Sequence, residues 1–380
     1  MRRSPFLLLL LTSHLSSVPS FLPPSRVHAE EPAAASPPPT ATATPTAAEA
    51  EADTRNAAPQ PPKGYPSRAA VMAAVATGLL PLIKQEEQPP EDVREIKDIE
   101  YGRVGDRALT LDIDLPKHPR GPVPGLIFIH GGAWKGGERT IYHYYTRRFA
   151  QRGYAAATVS YRLSGEATYP AAVHDVKCAV RWMRAHAAEY GIDPERLAAI
   201  GGSAGGHLAM MIGYCDAPQL EGDAGHAGVS SEVAAVVNFY GPVDLTSEMG
   251  QKASVVKQFL ATSYEQNPQR YEEASPLTHL DANDPPTLIV HGTLDDVVPV
   301  DQADLLAKRL GELGIAHEYA RLEGWPHTLD AARPANDYCQ ELMLRFFDEH
   351  LTDEHSADEP SPQDSSAKPT PESQPAATVK

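Results

Sequence analysis

The run Ala199-Ile200-Gly201-Gly202-Ser203-Ala204-Gly205-Gly206-His207 limits what this chain can fold into more than any other stretch. Leu197 to Ile200 reads as a strand, Leu208 to Met211 resumes with helix formers, and only small residues and one serine stand between them. A strand that turns so sharply into a helix brings backbone against backbone, which leaves no room for ordinary side chains. G-x-S-x-G at such a turn lifts the Ser203 hydroxyl out of the sheet to a helix N-terminus, where backbone amides favour developing negative charge. The pattern marks a nucleophile. By itself it also occurs as a plain glycine-rich turn, so its partners decide.

The surrounding chain alternates two periods. Lys97–Tyr101 and Leu109–Leu115 read as an antiparallel pair of strands, the second alternating apolar with polar until Pro116. Leu126–Ile129, Ala155–Tyr161, the Ser203 strand, Val233–Phe239 and Leu288–His291 are continuous apolar runs, the signature of strands buried on both faces. Glu318–Leu322 follows as a last strand, and helical spacing fills the intervals, notably Ala171–Met183, Val300–Leu313 and Pro334–Leu351. The fold class is therefore α/β, with a doubly wound, mostly parallel sheet and helices on both faces. Residues 244–283 fit neither period and read as an insertion of short helices near the site.

A serine hydroxyl needs a base to take its proton and a third group to orient that base. Downstream strands end in two loops that supply them: Gly292-Thr293-Leu294-Asp295-Asp296 and Glu323-Gly324-Trp325-Pro326-His327. Serine, acid and histidine follow in that chain order. Two adjacent carboxylates compete for the acid position, and consecutive side chains in an extended loop point apart, so only one reaches the imidazole. An oxyanion also needs N–H donors placed in advance. Ala204, directly after the serine, offers one, and Gly131 and Gly132 in His130-Gly131-Gly132-Ala133-Trp134 offer others with no side chain in the way.

In these residues the chain resembles the alpha/beta-hydrolase superfamily, and within it the H-G-G esterases that include carbohydrate esterases acting on acetylated and feruloylated plant polysaccharides. The resemblance runs from roughly Ile96 to Leu351. Its H-G-x-x-D-x-x-V-P pattern falls on His291 to Pro299 and assigns the acid to Asp295, with Asp296 left a solvated capping role. It implies a serine carboxylesterase that forms an acyl-enzyme on Ser203, with His327 as base and Asp295 behind it, and that removes acetyl or feruloyl groups. Trp134 and Trp325 are expected to contact substrate; Trp325-Pro326 departs from the small residues usual before the histidine. An arylformamidase or a serine peptidase of the same superfamily is the alternative, and a non-catalytic binding protein the remote one.

The ends point to export. Arg2-Arg3 before Phe6–Leu11, with Val27-His28-Ala29 as a cleavage site, reads as a signal peptide over residues 1–29. Residues 30–66, dominated by Ala, Pro, Thr and Glu, read as a disordered linker, and 352–380 as a disordered tail. Residues 67–92 are expected to carry a docking helix from Ser67 to Ile83, with a lid over the pocket as its other reading; 93–351 is the catalytic domain. A formal net charge of -17 disfavours nucleic acid and anionic membranes as partners. The expected partner is an ester substrate, small or polysaccharide. Cys178, Cys215 and Cys339 are too few for a disulfide scaffold, though two could pair after export. No motif calls for a metal or a cofactor.

Overall fold

The computed structural model describes residues 59–84 and 88–351. The expected signal peptide, residues 30–58 of the expected linker and the expected tail lie outside the described residues.

Eight strands form one sheet: β1 (Val93–Val104), β2 (Arg107–Pro116), β3 (Val123–Ile129), β4 (Ala155–Val159), β5 (Ile192–Gly202), β6 (Ala235–Phe239), β7 (Thr287–Gly292) and β8 (His317–Leu322). Their spatial order is β1-β2-β4-β3-β5-β6-β7-β8. β2 runs antiparallel to both its neighbours, and every other pairing is parallel. The expected fold class stands. The strand pair at the β1 edge is longer than the sequence pattern indicates because β1 carries irregularities between Ile96 and Ile99 and between Glu100 and Gly102. Such bulges break the period-2 alternation by which a strand is read.

Side-chain alternation along each strand feeds two separate cores. Ile127, Ile129, Leu197, Ala199 and Ile289 join one apolar cluster, covered by α3 (Ala171–Ala185), α5 (Ala204–Tyr214) and α9 (Asp301–Leu313). Leu126, Phe128, Ala198, Ile200, Val237 and Leu288 join the other, covered by α2 (His143–Gln151) and α10 (Arg333–His350). Two-sided burial explains the unbroken apolar runs of the central strands. Each large side chain so removed from water contributes about 1.5–3 kcal/mol. The short α4 (Ala187–Tyr190) precedes β5, and the interval between β6 and β7 holds α6 (Glu248–Lys252), α7 (Ser254–Leu260) and α8 (Pro268–Glu273), as the aperiodic stretch there anticipates.

Two polar positions in the second half of β2 do not face water. Asp112 and Asp114 are buried under α2. Asp112 lies 2.9 Å from Arg139 Nε and 3.0 Å from His143 Nε2. Asp114 accepts only the Thr146 hydroxyl, at 2.6 Å, and its second carboxyl oxygen has no protein partner.

The N-terminal helix is shorter than expected. α1 (Arg68–Ala76) starts on a Ser67 cap that accepts from Ala70 N and ends at Thr77, followed by Gly78 at φ +75°. A glycine in that left-handed position stops a helix. Beyond it, Leu82 bridges Ala332 and Ile83 N donates to Ala331 O, so residues 82–83 pair as extended chain rather than continue the helix. Val71, Ala74 and Leu80 dock into the second core. Cys178, Cys215 and Cys339 are each buried and unpaired. Among the described residues no helix is long and apolar enough to cross a membrane.

Burial, opposed by the Thr146 hydrogen bond and reinforced by Glu95, pushes the Asp114 carboxyl up to about 6. A folded-state value above the unfolded one means stability that is complete below the unfolded pKa and is lost as pH rises through 6. Asp114→Asn is therefore expected to raise Tm at pH 8 by roughly 5 °C. In thermal melts the advantage should vanish near pH 4.

Candidate active site

β5 runs straight into the turn that presents Ser203. The serine sits at φ 57° and ψ -122°, outside the regions an L-residue prefers. Strain of this kind costs ~1–3 kcal/mol and persists only where the surroundings over-determine it. Here Ser203 N donates to Phe239 O at 2.8 Å, and Ser203 O accepts from His207 N at 3.0 Å as α5 begins. Gly205 packs directly on the carbonyl of Ile129, where any side chain would collide with backbone. That contact is why position 205 is a glycine; at Gly206 a side chain would meet Asn238 Oδ1 instead.

The loops after β7 and β8 converge on it. His327 Nε2 lies 3.0 Å from Ser203 Oγ, and its Nδ1 lies 2.6 Å from Asp295 Oδ2. Asp295 Oδ1 accepts from Val297 N and Val298 N, each at 2.9 Å. A second buried imidazole, His291, places Nε2 3.2 Å from Asp295 Oδ2 and 2.8 Å from Val298 O. Burial alone would raise the Asp295 carboxyl, but the His327 and His291 imidazoles outweigh it and hold the carboxyl well below the usual carboxylate range. The neighbouring Asp296 turns outward to an ion pair with Arg68 at the start of α1. It caps no helix, since α9 begins only at Asp301. Of the two adjacent carboxylates, Asp295 is the one that meets the imidazole.

Gly131 and Gly132 line a cavity of about 70 Å³ together with Ser203. The loop turns back on itself through Lys135 N and Gly136 N, both donating to Gly132 O. Ala204 follows the serine as the first residue of α5. Of the three residues expected to supply N–H donors, Gly131 and Gly132 line the cavity, and Ala204 adjoins Ser203 without lining it.

Three tyrosines, Tyr142, Tyr145 and Tyr240, wall the rest of that space with Ile141, Thr328 and Asp330. The Tyr240 ring meets the His327 ring edge-on at 4.7 Å, and its hydroxyl donates to Asp330 Oδ1. Tyr145 Oη lies 3.3 Å from Asp330 Oδ2, and Asn336 Nδ2 donates to Tyr145 Oη at 2.8 Å. Burial holds the Asp330 carboxyl above its ordinary range. Sequence reasoning missed Tyr142, Tyr145, Tyr240, Asp330 and His291. Tyr240, next after β6 and so at the C-terminal edge of the parallel sheet, carried a usable signal, because ligands gather at that edge.

Two expected substrate contacts are not there. Trp134 is 2% exposed, stacked on Phe259 at 4.5 Å, and its indole N–H faces His207 Nδ1 at 3.3 Å. Trp325 is 1% exposed and donates its indole N–H to Pro62 O at 3.0 Å. Neither lines the cavity. In both cases the amphipathic ring finds an aromatic partner and a protein acceptor for its N–H, which leaves nothing for a ligand. The Trp325 contact also shortens the expected linker. Tyr65 N donates to Gly324 O at 3.0 Å, and its ring meets Trp325 edge-on, so the chain around 62–65 is packed rather than solvated. Among the described residues, α1 contributes nothing to the cavity wall.

The BD-FAE family profile matches residues 111–310, more than half of the chain, from β2 to the middle of α9. The chain belongs to the BD-FAE family. Among curated relatives, it is 34% identical over 280 residues to the probable carboxylic ester hydrolase LipM of Mycobacterium tuberculosis, covering 70% of this chain and 63% of LipM. The chain thus spans less than two thirds of that relative's length. Among solved structures, a truncated carbohydrate esterase from gut microbiota aligns over 70% of this chain and 100% of its own, with TM-score 0.61 and 27% identity. The butyrate-bound esterase Est2 of Thermogutta terrifontis aligns over 68% of this chain and 94% of its own, with TM-score 0.59 and 30% identity. The two solved structures share the α/β-hydrolase fold described above.

In this BD-FAE protein the two carboxylates should separate cleanly on substitution. Asp295→Asn is expected to lower kcat on p-nitrophenyl acetate by about 10³–10⁴-fold, because the imidazole then loses the acceptor that fixes its tautomer. Asp296→Asn should leave kcat within about threefold, as its ion pair with Arg68 lies at the surface, away from the imidazole.

Proposed function

We propose that this BD-FAE protein is a carboxylic ester hydrolase that works through an acyl-enzyme on Ser203. The observation that carries the reading is the unbroken hydrogen-bond chain Ser203–His327–Asp295 beside a glycine-lined cavity. His327 Nε2 takes the proton as Ser203 Oγ attacks the ester carbonyl carbon. The carbonyl oxygen becomes an oxyanion facing the N–H groups of Gly131, Gly132 and Ala204. Collapse breaks the bond to the alcohol oxygen, which receives the proton from His327. Water then repeats the cycle: His327 accepts its proton, the hydroxide oxygen bonds the acyl carbon, and Ser203 leaves with the proton returned. Asp295 keeps its charge throughout and stabilises the imidazolium.

The acyl side of the substrate is short. A cavity of about 70 Å³ closed by Tyr142, Tyr145 and Tyr240 has room for a few heavy atoms. An acetyl, propionyl or butyryl chain fits such a space. Est2, which resembles this chain, has been solved with butyrate and with propionate bound. Of the two carbohydrate substrates expected from sequence, this favours acetylated polysaccharide over feruloyl esters. The likeness to a gut carbohydrate esterase supports a sugar hydroxyl as the alcohol. Export through the Arg2-Arg3 and Phe6–Leu11 segment, which an extracellular polysaccharide would require, belongs to the same proposal.

A turnover panel tests it. On p-nitrophenyl esters, kcat/KM should fall by roughly tenfold or more between butyrate and octanoate. Acetate should be released from acetylated xylan, and ferulate should not be released from a feruloyl ester. A fluorophosphonate should label wild type but not Ser203→Ala. Turnover that survives Ser203→Ala would remove the nucleophile from the scheme. In an exporting host, the secreted protein should begin at Glu30 on N-terminal sequencing.

A further inference from the structure

The loop that carries Gly131 and Gly132 holds an uncomfortable shape. Gly132, Ala133 and Trp134 stand in succession at φ 113°, 54° and 56°. Glycine adopts such values freely; alanine and tryptophan do not. Left to itself this segment would relax, and the two glycine N–H groups would move with it. Something must hold both ends.

One end is fixed from below. The His130 ring stacks on Tyr161 at 4.4 Å, and Tyr161 Oη donates to His130 O at 2.9 Å. The other end is gripped through the Trp134 indole. Phe259, on α7, lies nearly parallel to it at 4.5 Å, and His207, on α5, meets its N–H. His207 then passes the connection on: its Nε2 lies 2.8 Å from the carbonyl of Ala274, just past α8. Both ring nitrogens are thereby assigned. Nδ1 accepts from the indole, Nε2 donates to the carbonyl, and a second proton on the ring would face a donor. Burial, which lowers this histidine to about 4, keeps it neutral. Phe259 is itself held, since its carbonyl accepts from Tyr169 N at 2.8 Å and its ring meets Tyr169 edge-on.

We infer that the segment between β6 and β7 sets the geometry of the oxyanion loop through a clasp on Trp134, made by Phe259 from one side and by His207, anchored on Ala274, from the other. None of the cavity wall comes from residues 244–283, so the segment acts on the reacting atoms indirectly, through this indole and through His207, whose backbone N–H bonds Ser203 O. Trp134, Phe259 and His207 are positioning residues. The inference rests on the reading of Gly131 and Gly132 as oxyanion donors. It also gives Trp134 a role that its burial otherwise leaves unexplained.

Two substitutions on the far side of the clasp test it, with Phe259→Leu keeping apolar volume and Phe259→Tyr restoring the ring. Phe259→Leu should lower kcat on p-nitrophenyl acetate by about tenfold or more, with KM within about threefold, because donors aimed at the oxyanion matter chiefly in the transition state. Phe259→Tyr should recover most of kcat. Hydrogen–deuterium exchange of residues 131–137 should quicken in Phe259→Leu and return towards wild type in Phe259→Tyr. That second readout does not depend on turnover: a wild type inactive on every ester sinks the hydrolase reading while loop exchange still judges the clasp. Loop exchange equal to wild type in Phe259→Leu overturns the clasp, and so does a lower Tm accompanied by unchanged kcat.

Discussion

Parallel pairing is the constraint on which the rest of the structure depends. β3, β5, β6, β7 and β8 run the same way, so their C-terminal ends share one edge and the five loops that leave them share one space. The glycine loop follows β3, Ser203 follows β5, Tyr240 follows β6, Asp295 follows β7, and His327 and Asp330 follow β8. Residues far apart in sequence meet without any long excursion of the chain. The parallel pairs depend in turn on two cores, because such strands are covered on both faces by helices.

Two buried carboxyls near the imidazole are driven in opposite directions. Asp295 receives two backbone N–H groups and faces two imidazoles, so its charge is compensated despite burial. Asp330 receives tyrosine hydroxyls, which are weaker compensation, and burial dominates. Environments that separate two like groups in this way also separate their tasks. The charged one can orient a histidine and stabilise its protonated form. The other ties Tyr240 and Tyr145 together behind the cavity, and the Tyr240 ring presses on the face of the site where His327 lies.

The fold, the serine and the two loops that hold its partners were legible in the sequence because each rests on a local rule, whereas the choice of Asp295 over Asp296 came from the family resemblance. Continuous apolar runs announce strands buried on both sides, small residues announce the elbow, and loops that follow strands hold the polar groups. What was illegible depends on side-chain direction. Trp134 and Trp325 have the chemistry of pocket residues, yet their N–H groups meet His207 and Pro62 inside the protein. No period or motif tells a ring facing a cavity from one facing a core. The same holds for Tyr240 and Asp330, ordinary residues made important by where neighbouring loops end. α1 ran short for a simpler reason: Gly78 lay inside the apparent helix, and its φ of +75° turned a tolerated glycine into a stop.

The distribution of backbone strain ties these points together. Eight non-glycine residues among those described have positive φ, and Ala133, Trp134, Ser203, Tyr240 and Thr328 all belong to loops around the cavity. A scatter without cause would place such residues mainly in exposed turns, where a neighbour can yield. Here they stand on the rigid edge of a sheet with full cores beneath it, which is the one place where the surroundings can enforce an unfavourable dihedral angle. Ser203 is enforced by Phe239 O and by the start of α5, and Tyr240 by its N–H bond to Val290 O at 2.9 Å. The glycine loop lies further from the sheet than either, so its strain needs an outside hold, and the indole that a sequence reading would give to the ligand is the handle by which it is held.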